Sequence, residues 1–161
     1  MTSSYDRFKQ TFGMRLFGWL KIPLLASVRP SVIELTEARC VVRIPLRRWT
    51  RNHLGSMYFG ALAIGADCAG GLLAMDQIKR SGKPVSLVFK AFQATFLKRP
   101  EADVYFICEG GEAIRDQVRR ALDSEERITE PMRIQAAVKL PDGTFEPVAE
   151  FTLELSLKLR A

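Results

Sequence analysis

The stretch YFGALAIGADCAGGLLAM at residues 58–75 is apolar all round any helix it could form, yet it carries one carboxylate, Asp67. Continued to Arg80, it predicts a helix of about six turns, with Lys79 and Arg80 in the last turn and Gly82 and Pro84 as stop signals. A helix without a polar face must be enclosed, and the only material in this chain able to enclose it is sheet. Small residues such as Gly60, Gly65, Ala69 and Gly71 permit close approach of that sheet or of a second copy of the helix. An unpaired buried charge is costly or neutralises, so Asp67 is kept either by a structural partner or by chemistry.

Strand patterns surround this helix. Phe151, Leu153, Leu155, Leu157 and Leu159 alternate with polar residues, as do Met132, Ile134, Ala136, Val138 and Leu140 before them, and Pro141 to Gly143 supply a turn. Together these predict an antiparallel hairpin. The run PVSLVFKAFQATFLKRP, apolar on both alternating faces, predicts a strand central to the sheet, with ADVYFICEG as its neighbour. Upstream, SVIELTEARCVVRIPL breaks at Thr36 to Ala38 into two short strands, giving about six in all. A short helix over 112–127 is apolar at Ile114, Val118, Ala121 and Leu122. The expected architecture is one α+β domain over 1–161, a curved antiparallel sheet wrapped around one long central helix.

At the N-terminus, Phe8, Phe12, Leu16 and Leu20 recur at every fourth position and predict a helix with one apolar stripe. That stripe either docks on its own domain or, given Lys9, Arg15 and Lys21, lies on a membrane surface. The segment lacks the pattern of a secretory signal. The long helix approaches the length of a membrane span, but Asp67, four glycines and the strand patterning that follows argue against one. Cys40, Cys68 and Cys108 are odd in number and without metal-ligand spacing, so no disulfide framework and no metal are expected, and a reducing, cytoplasmic setting is. The net charge of +6 suits an anionic ligand. Arg47, Arg48 and Arg51 with Trp49 form a basic cluster, but no nucleic-acid-binding motif accompanies it.

In NHLGSMYFGAL, Asn52 begins a glycine-containing loop, Gly60 lies where the long helix opens, and Asp67 follows two turns later; FLKRP closes the long strand at 96–100. This arrangement resembles the hotdog-fold acyl-CoA thioesterases, in particular the phenylacetate-pathway branch, where an Asn, a His-Gly-Gly and an Asp take these places and FLRP follows the strand. The extra N-terminal helix and the insertion at 112–127 look more like a hotdog subgroup known only as a domain of unknown function. The resemblance implies hydrolysis of acyl-CoA thioesters, with coenzyme A entering only as part of the substrate. It assigns catalytic places to Asn52, Gly60 and Asp67. Tyr58 stands where the family has its His and Phe59 where it has its first Gly. A tyrosine can hydrogen-bond a carbonyl but does not accept a proton near neutral pH.

Physical chemistry supplies roles for these positions. The helix start at Tyr58, Phe59 and Gly60 offers backbone N–H groups and a positive dipole end to a thioester oxyanion, while Asp67 is general base or nucleophile and Asn52 orients water or carboxylate. His53, Lys90, Lys98 and Arg99 are candidates for binding the substrate, the cations for its phosphates. Phe59 and Asp67 are eight residues apart, about 12 Å along one helix, so a shared site needs a dimer or tetramer in which Asp67 of one copy approaches the helix start of another. The alternative is a non-catalytic acyl-CoA or fatty-acyl binding module of the same fold. Cys68 reads as a small core residue.

Overall fold

The computed structural model describes residues 4–160. In chain order it contains α1 (Ser4–Lys21), α2 (Pro23–Ser27), β1 (Ser31–Leu35), β2 (Cys40–Ile44), α3 (Phe59–Ser81), β3 (Val85–Phe96), β4 (Val104–Cys108), α4 (Gly111–Leu122), β5 (Ile128–Lys139) and β6 (Phe145–Leu159). The six strands make one antiparallel sheet in the order β1-β2-β4-β5-β6-β3. Helix α3 touches five neighbouring strands, from β2 across to β3. Five strands laid flat span about 19 Å, wider than a helix of roughly 10–12 Å, so the sheet must curl around α3.

Glycine lets the two layers meet. A Cβ on Gly65 would run into the ring of Phe106 on β4, and one on Gly70 into Met132 on β5. The helix turns Ala61, Leu62, Ala66, Cys68, Ala69, Leu73 and Ala74 into the core, where they meet Phe106, Ile134, Phe151, Leu153 and Leu155. It ends at Gly82, whose φ of 66° is the left-handed cap that a glycine adopts without strain. By length and composition α3 could cross a bilayer, but half of its most apolar window is buried inside the fold, as befits a core helix. Behind it, α4 packs through Ile114, Val118 and Ala121, and its buried Gln117 donates to the carbonyls of Ile128 at 3.0 Å and Leu155 at 2.8 Å.

Four expectations need correction. Strand β3 is an edge, not central: among the described residues it pairs with β6 alone, and Val88, Phe92 and Phe96 are exposed along it. Strand β4 joins β2 and β5 rather than β3. Helix α4 stops at Leu122, and β5 starts earlier than its alternation suggested, at Ile128.

The fourth concerns α1. Its stripe of Phe8, Phe12, Leu16 and Leu20 faces outward, with Phe8 71% exposed. The docking face is instead built from Met14, buried in the core, and from small and polar groups that reach the backbone beyond the helix. Thr11 Oγ1 accepts from Val32 N–H at 2.9 Å, Arg15 Nε donates to Pro30 O at 2.8 Å, and Gly18 lets Leu25 and Ala26 approach closely. Hydrogen-bonding geometry, invisible to an apolar period, selected the face. As a consequence α3 is not enclosed all round: the side away from the sheet looks into a cleft beneath α1 and α2.

Candidate functional site

Residues 45–57 form a tightly bonded loop that sets the start of α3. Thr50, buried, donates through Oγ1 to Pro45 O at 2.7 Å and accepts from Arg47 N–H at 2.9 Å. Asn52 Oδ1 accepts from Leu54 N–H at 2.9 Å and Ser56 N–H at 3.2 Å, and its amide nitrogen donates to Ser56 Oγ at 3.1 Å. The Asn52 side chain is thus occupied in folding its own loop, in the way asparagine commonly builds turns. Gly55, at φ 87°, completes the bend.

Two backbone bonds place the helix start between chain segments: Tyr58 N–H donates to Thr50 O at 2.8 Å and Met57 N–H to Pro100 O at 2.9 Å. They set Arg51 and Arg99, both exposed, next to the anchors on either side. Tyr58 caps α3 in extended conformation, φ −66° and ψ 139°, with no side-chain cap. Ala61 and Leu62 N–H both donate to Tyr58 O, at 2.9 and 3.1 Å. The N–H groups of Phe59 and Gly60 have no partner among the described residues, and they stand at the positive end of the helix dipole. The Tyr58 ring folds back over Gly60, where a Cβ would lie 2.6 Å from it, and makes a tilted contact with the Phe59 ring, centroids 4.7 Å apart.

Two turns on, the half-buried Asp67 carboxylate makes no hydrogen bond or ion pair among the described residues, in contrast to Asp76 on the same helix, which Arg80 holds at 2.7 Å. Burial pushes the Asp67 carboxyl up from its ordinary value. Beside it, burial first and the Asp67 charge second push the Cys68 thiol far up, which suits a core residue and not a nucleophile. Asp67 lines a cleft of about 610 Å³ whose other walls are mostly apolar side chains of α1, α2, α3 and β3, with Lys79 and Arg160 also lining it. This volume lies within the usual range of small-molecule sites.

The remaining candidates are dispersed. His53 and Lys90 are exposed, and Lys98 is paired with Glu146 at 2.7 Å, so Arg99 is the cation of that strand end without an ion-pair partner among the described residues. The contributions of Met14, Phe17, Ile22 and Leu25 to the cleft were missed in the sequence, because the outward stripe on α1 masked them; the spacing of Met14 and Phe17 was the available signal.

Solved structures share this architecture. A protein of unknown function from Pseudomonas aeruginosa, described as a probable thioesterase, superposes with a TM-score of 0.76 at 23% identity, over 93% of this chain and 96% of that one. A thioesterase family protein from Silicibacter pomeroyi gives 0.67 at 16% identity over 93% and 99%. A thioesterase from Haemophilus influenzae gives 0.61 at 12% identity over 89% and 88%. The fold is therefore the hotdog fold of these thioesterase structures. No curated protein matches the sequence. The family described as Domain of unknown function (DUF4442) matches residues 13–156, nearly the whole sequence, and the chain belongs to that family.

Proposed function

We propose that the protein hydrolyses acyl thioesters of coenzyme A. The observation that carries this reading is the unpartnered, half-buried Asp67 carboxylate at an apolar cleft, on a fold shared with structures named as thioesterases. A carboxylate whose proton is held more tightly than usual is a better general base, and it is equally placed to attack the carbonyl. The free N–H groups of Phe59 and Gly60 are the oxyanion donors, and Arg51 and Arg99 beside them suit the phosphates of coenzyme A.

These parts complete a site between two copies. About 12 Å of helix separates Phe59 from Asp67, beyond the reach of one thioester carbonyl. The long unpaired edge of β3, with Val88, Phe92 and Phe96 exposed, is the surface on which a second copy would pair strand to strand and set one α3 against the other.

Two observations favour a second reading, a non-catalytic acyl-CoA binding module. Asn52 is committed to its loop and Tyr58 replaces the histidine of the resembled branch, which leaves fewer groups to orient water. Free-thiol release from acyl-CoAs of graded length, with Asp67→Asn alongside, separates the two. Turnover lost in the variant supports hydrolysis; saturable binding without turnover in either protein supports the binding module.

A further inference from the structure

The cleft above Asp67 has a direction. Asp67, Gly71, Met75 and Lys79 follow one another at four-residue intervals and line the same side of α3, so Asp67 stands at one end of the cleft and Lys79 about 18 Å away at the other. Strand β3 runs back along it: Phe89 lies against Gly71, 3.9 Å from where its Cβ would be, and Val85 lies toward the Lys79 end. Arg160 joins Lys79 there, since its N–H donates to Pro84 O at 2.8 Å and its side chain lines the same cleft. Neither cation has an ion-pair partner among the described residues. Between the two ends the walls are apolar, with Met14, Phe17 and Leu25 of α1 and α2 facing Leu72 and Met75 of α3.

We infer that this cleft is an acyl-chain site of which α1 and α2 form one wall, holding chains that run from Asp67 to the Lys79 and Arg160 end. The inference rests on the thioester reading for the position of the carbonyl. The pantetheine arm of coenzyme A does not suit the cleft, because its amides would lose water without gaining partners on these apolar walls. A hydrocarbon loses nothing there and gains burial on both sides. An extended chain advances about 1.25 Å per carbon, from bonds of about 1.5 Å at tetrahedral angles, so 18 Å holds about fourteen carbons. Beyond that length the chain meets hydrated cations and solvent, and further methylenes add no affinity.

The test uses S-alkyl-CoA thioethers of graded length, which cannot be hydrolysed, titrated calorimetrically against the full chain. Affinity is expected to rise by at most roughly four-fold per methylene and to level off at about fourteen carbons. Gly13→Leu fills the cleft from α1, where a Cβ meets nothing within 4 Å, and Met75→Glu places a charge on the opposite wall. Each is expected to weaken the dodecyl ligand at least ten-fold while leaving the butyryl-length ligand within two-fold; Asp67→Asn retains binding. Equal affinity for dodecyl ligand in the wild type and both folded variants, or affinity independent of chain length, overturns the assignment. Chain-length-dependent binding without turnover of any acyl-CoA keeps the cleft and removes the hydrolase reading. Turnover whose chain-length profile is the same in wild type and Gly13→Leu keeps the hydrolase reading and removes the cleft.

Discussion

Asp67 Oδ1 lies 3.6 Å from the point a Cβ would occupy on Gly71, one turn further along α3. The carboxylate leans over a residue with no side chain, in a site that removes water from it and offers no donor among the described residues in return. Asp67→Asn is therefore expected to cut thioester hydrolysis by about 10²-fold or more and, at the same time, to stabilise the fold at neutral pH. The raised pKa fixes the sign. The folded protein holds this proton more tightly than the unfolded chain, so the associated stability is present below the ordinary Asp value of about 3.9 and is lost as pH rises through the higher folded value. The difference in melting temperature, variant minus wild type, should grow as pH rises above the ordinary Asp value and level off once pH has passed the higher folded value; a difference independent of pH would refute the account. Activity should rise with pH over the same interval.

The free N–H of Phe59 can be deleted with little disturbance to the fold. Proline is tolerated at the first position of a helix, and Tyr58 before it already has the extended backbone that a following proline requires. Phe59→Pro is expected to keep the melting temperature within a few degrees of Phe59→Ala and to lower kcat by about 10- to 10³-fold relative to it, as loss of an oxyanion donor does. Equal kcat in the two variants would remove the helix start from the chemistry.

If the site is shared, Asp67→Asn and Phe59→Pro subunits complement each other. Random mixing of the two inactive proteins should restore about a quarter of the wild-type sites, because half of the dimers are mixed and each mixed dimer has one intact site. Phe92→Lys on the exposed edge of β3 should shift the protein toward monomer in sedimentation and abolish the recovery.

Two buried positions hold the layers together. Replacing Gln117 by leucine leaves the carbonyls of Ile128 and Leu155 without their donor and is expected to cost about 2–3 kcal/mol, read as a lower denaturation midpoint with unchanged slope. Gly65→Ala drives a methyl into the Phe106 ring and is expected to cost about 1–3 kcal/mol. Phe106→Leu should recover part of the second loss and none of the first.

Where a pattern reports burial on one chain, the sequence and the structure agree. The alternation in β5 and β6, the pair of short strands divided at Thr36 to Ala38, and the wholly apolar α3 all reflect contacts made within this chain. Misreadings arose where a residue's environment is set by something the period does not encode. Phe92 and Phe96 looked like residues of a central strand because both faces of β3 are apolar, yet its second edge has no partner among the described residues. Phe8 and Phe12 looked like a docking stripe, but α1 docks through Met14 and Gly18 and through a bond that Thr11 accepts and one that Arg15 donates. Asp67 was legible as an anomaly in an apolar run, and the helix start as a place for an anion. Asn52 bonds within its own loop, to Leu54 and Ser56, whereas the cleft under α1 depends on contacts between distant segments. The cysteines make the same point: Cys40 and Cys108, remote in sequence, face each other in register on β2 and β4 as free buried thiols.

The pairing of β3 with β6 alone also sets the order in which the molecule can be assembled on the ribosome. Strands β1, β2 and β4 can associate as soon as they emerge, but β3, synthesised before β4, has no place in the sheet until β6 arrives some fifty residues later. Until then its aromatic residues remain available to other chains, and the side of α3 that carries Asp67 lacks its second wall. A nascent chain stalled short of residue 145 would therefore hold a partly formed sheet with an open apolar edge, the kind of species that chaperones retain and that aggregates when they do not.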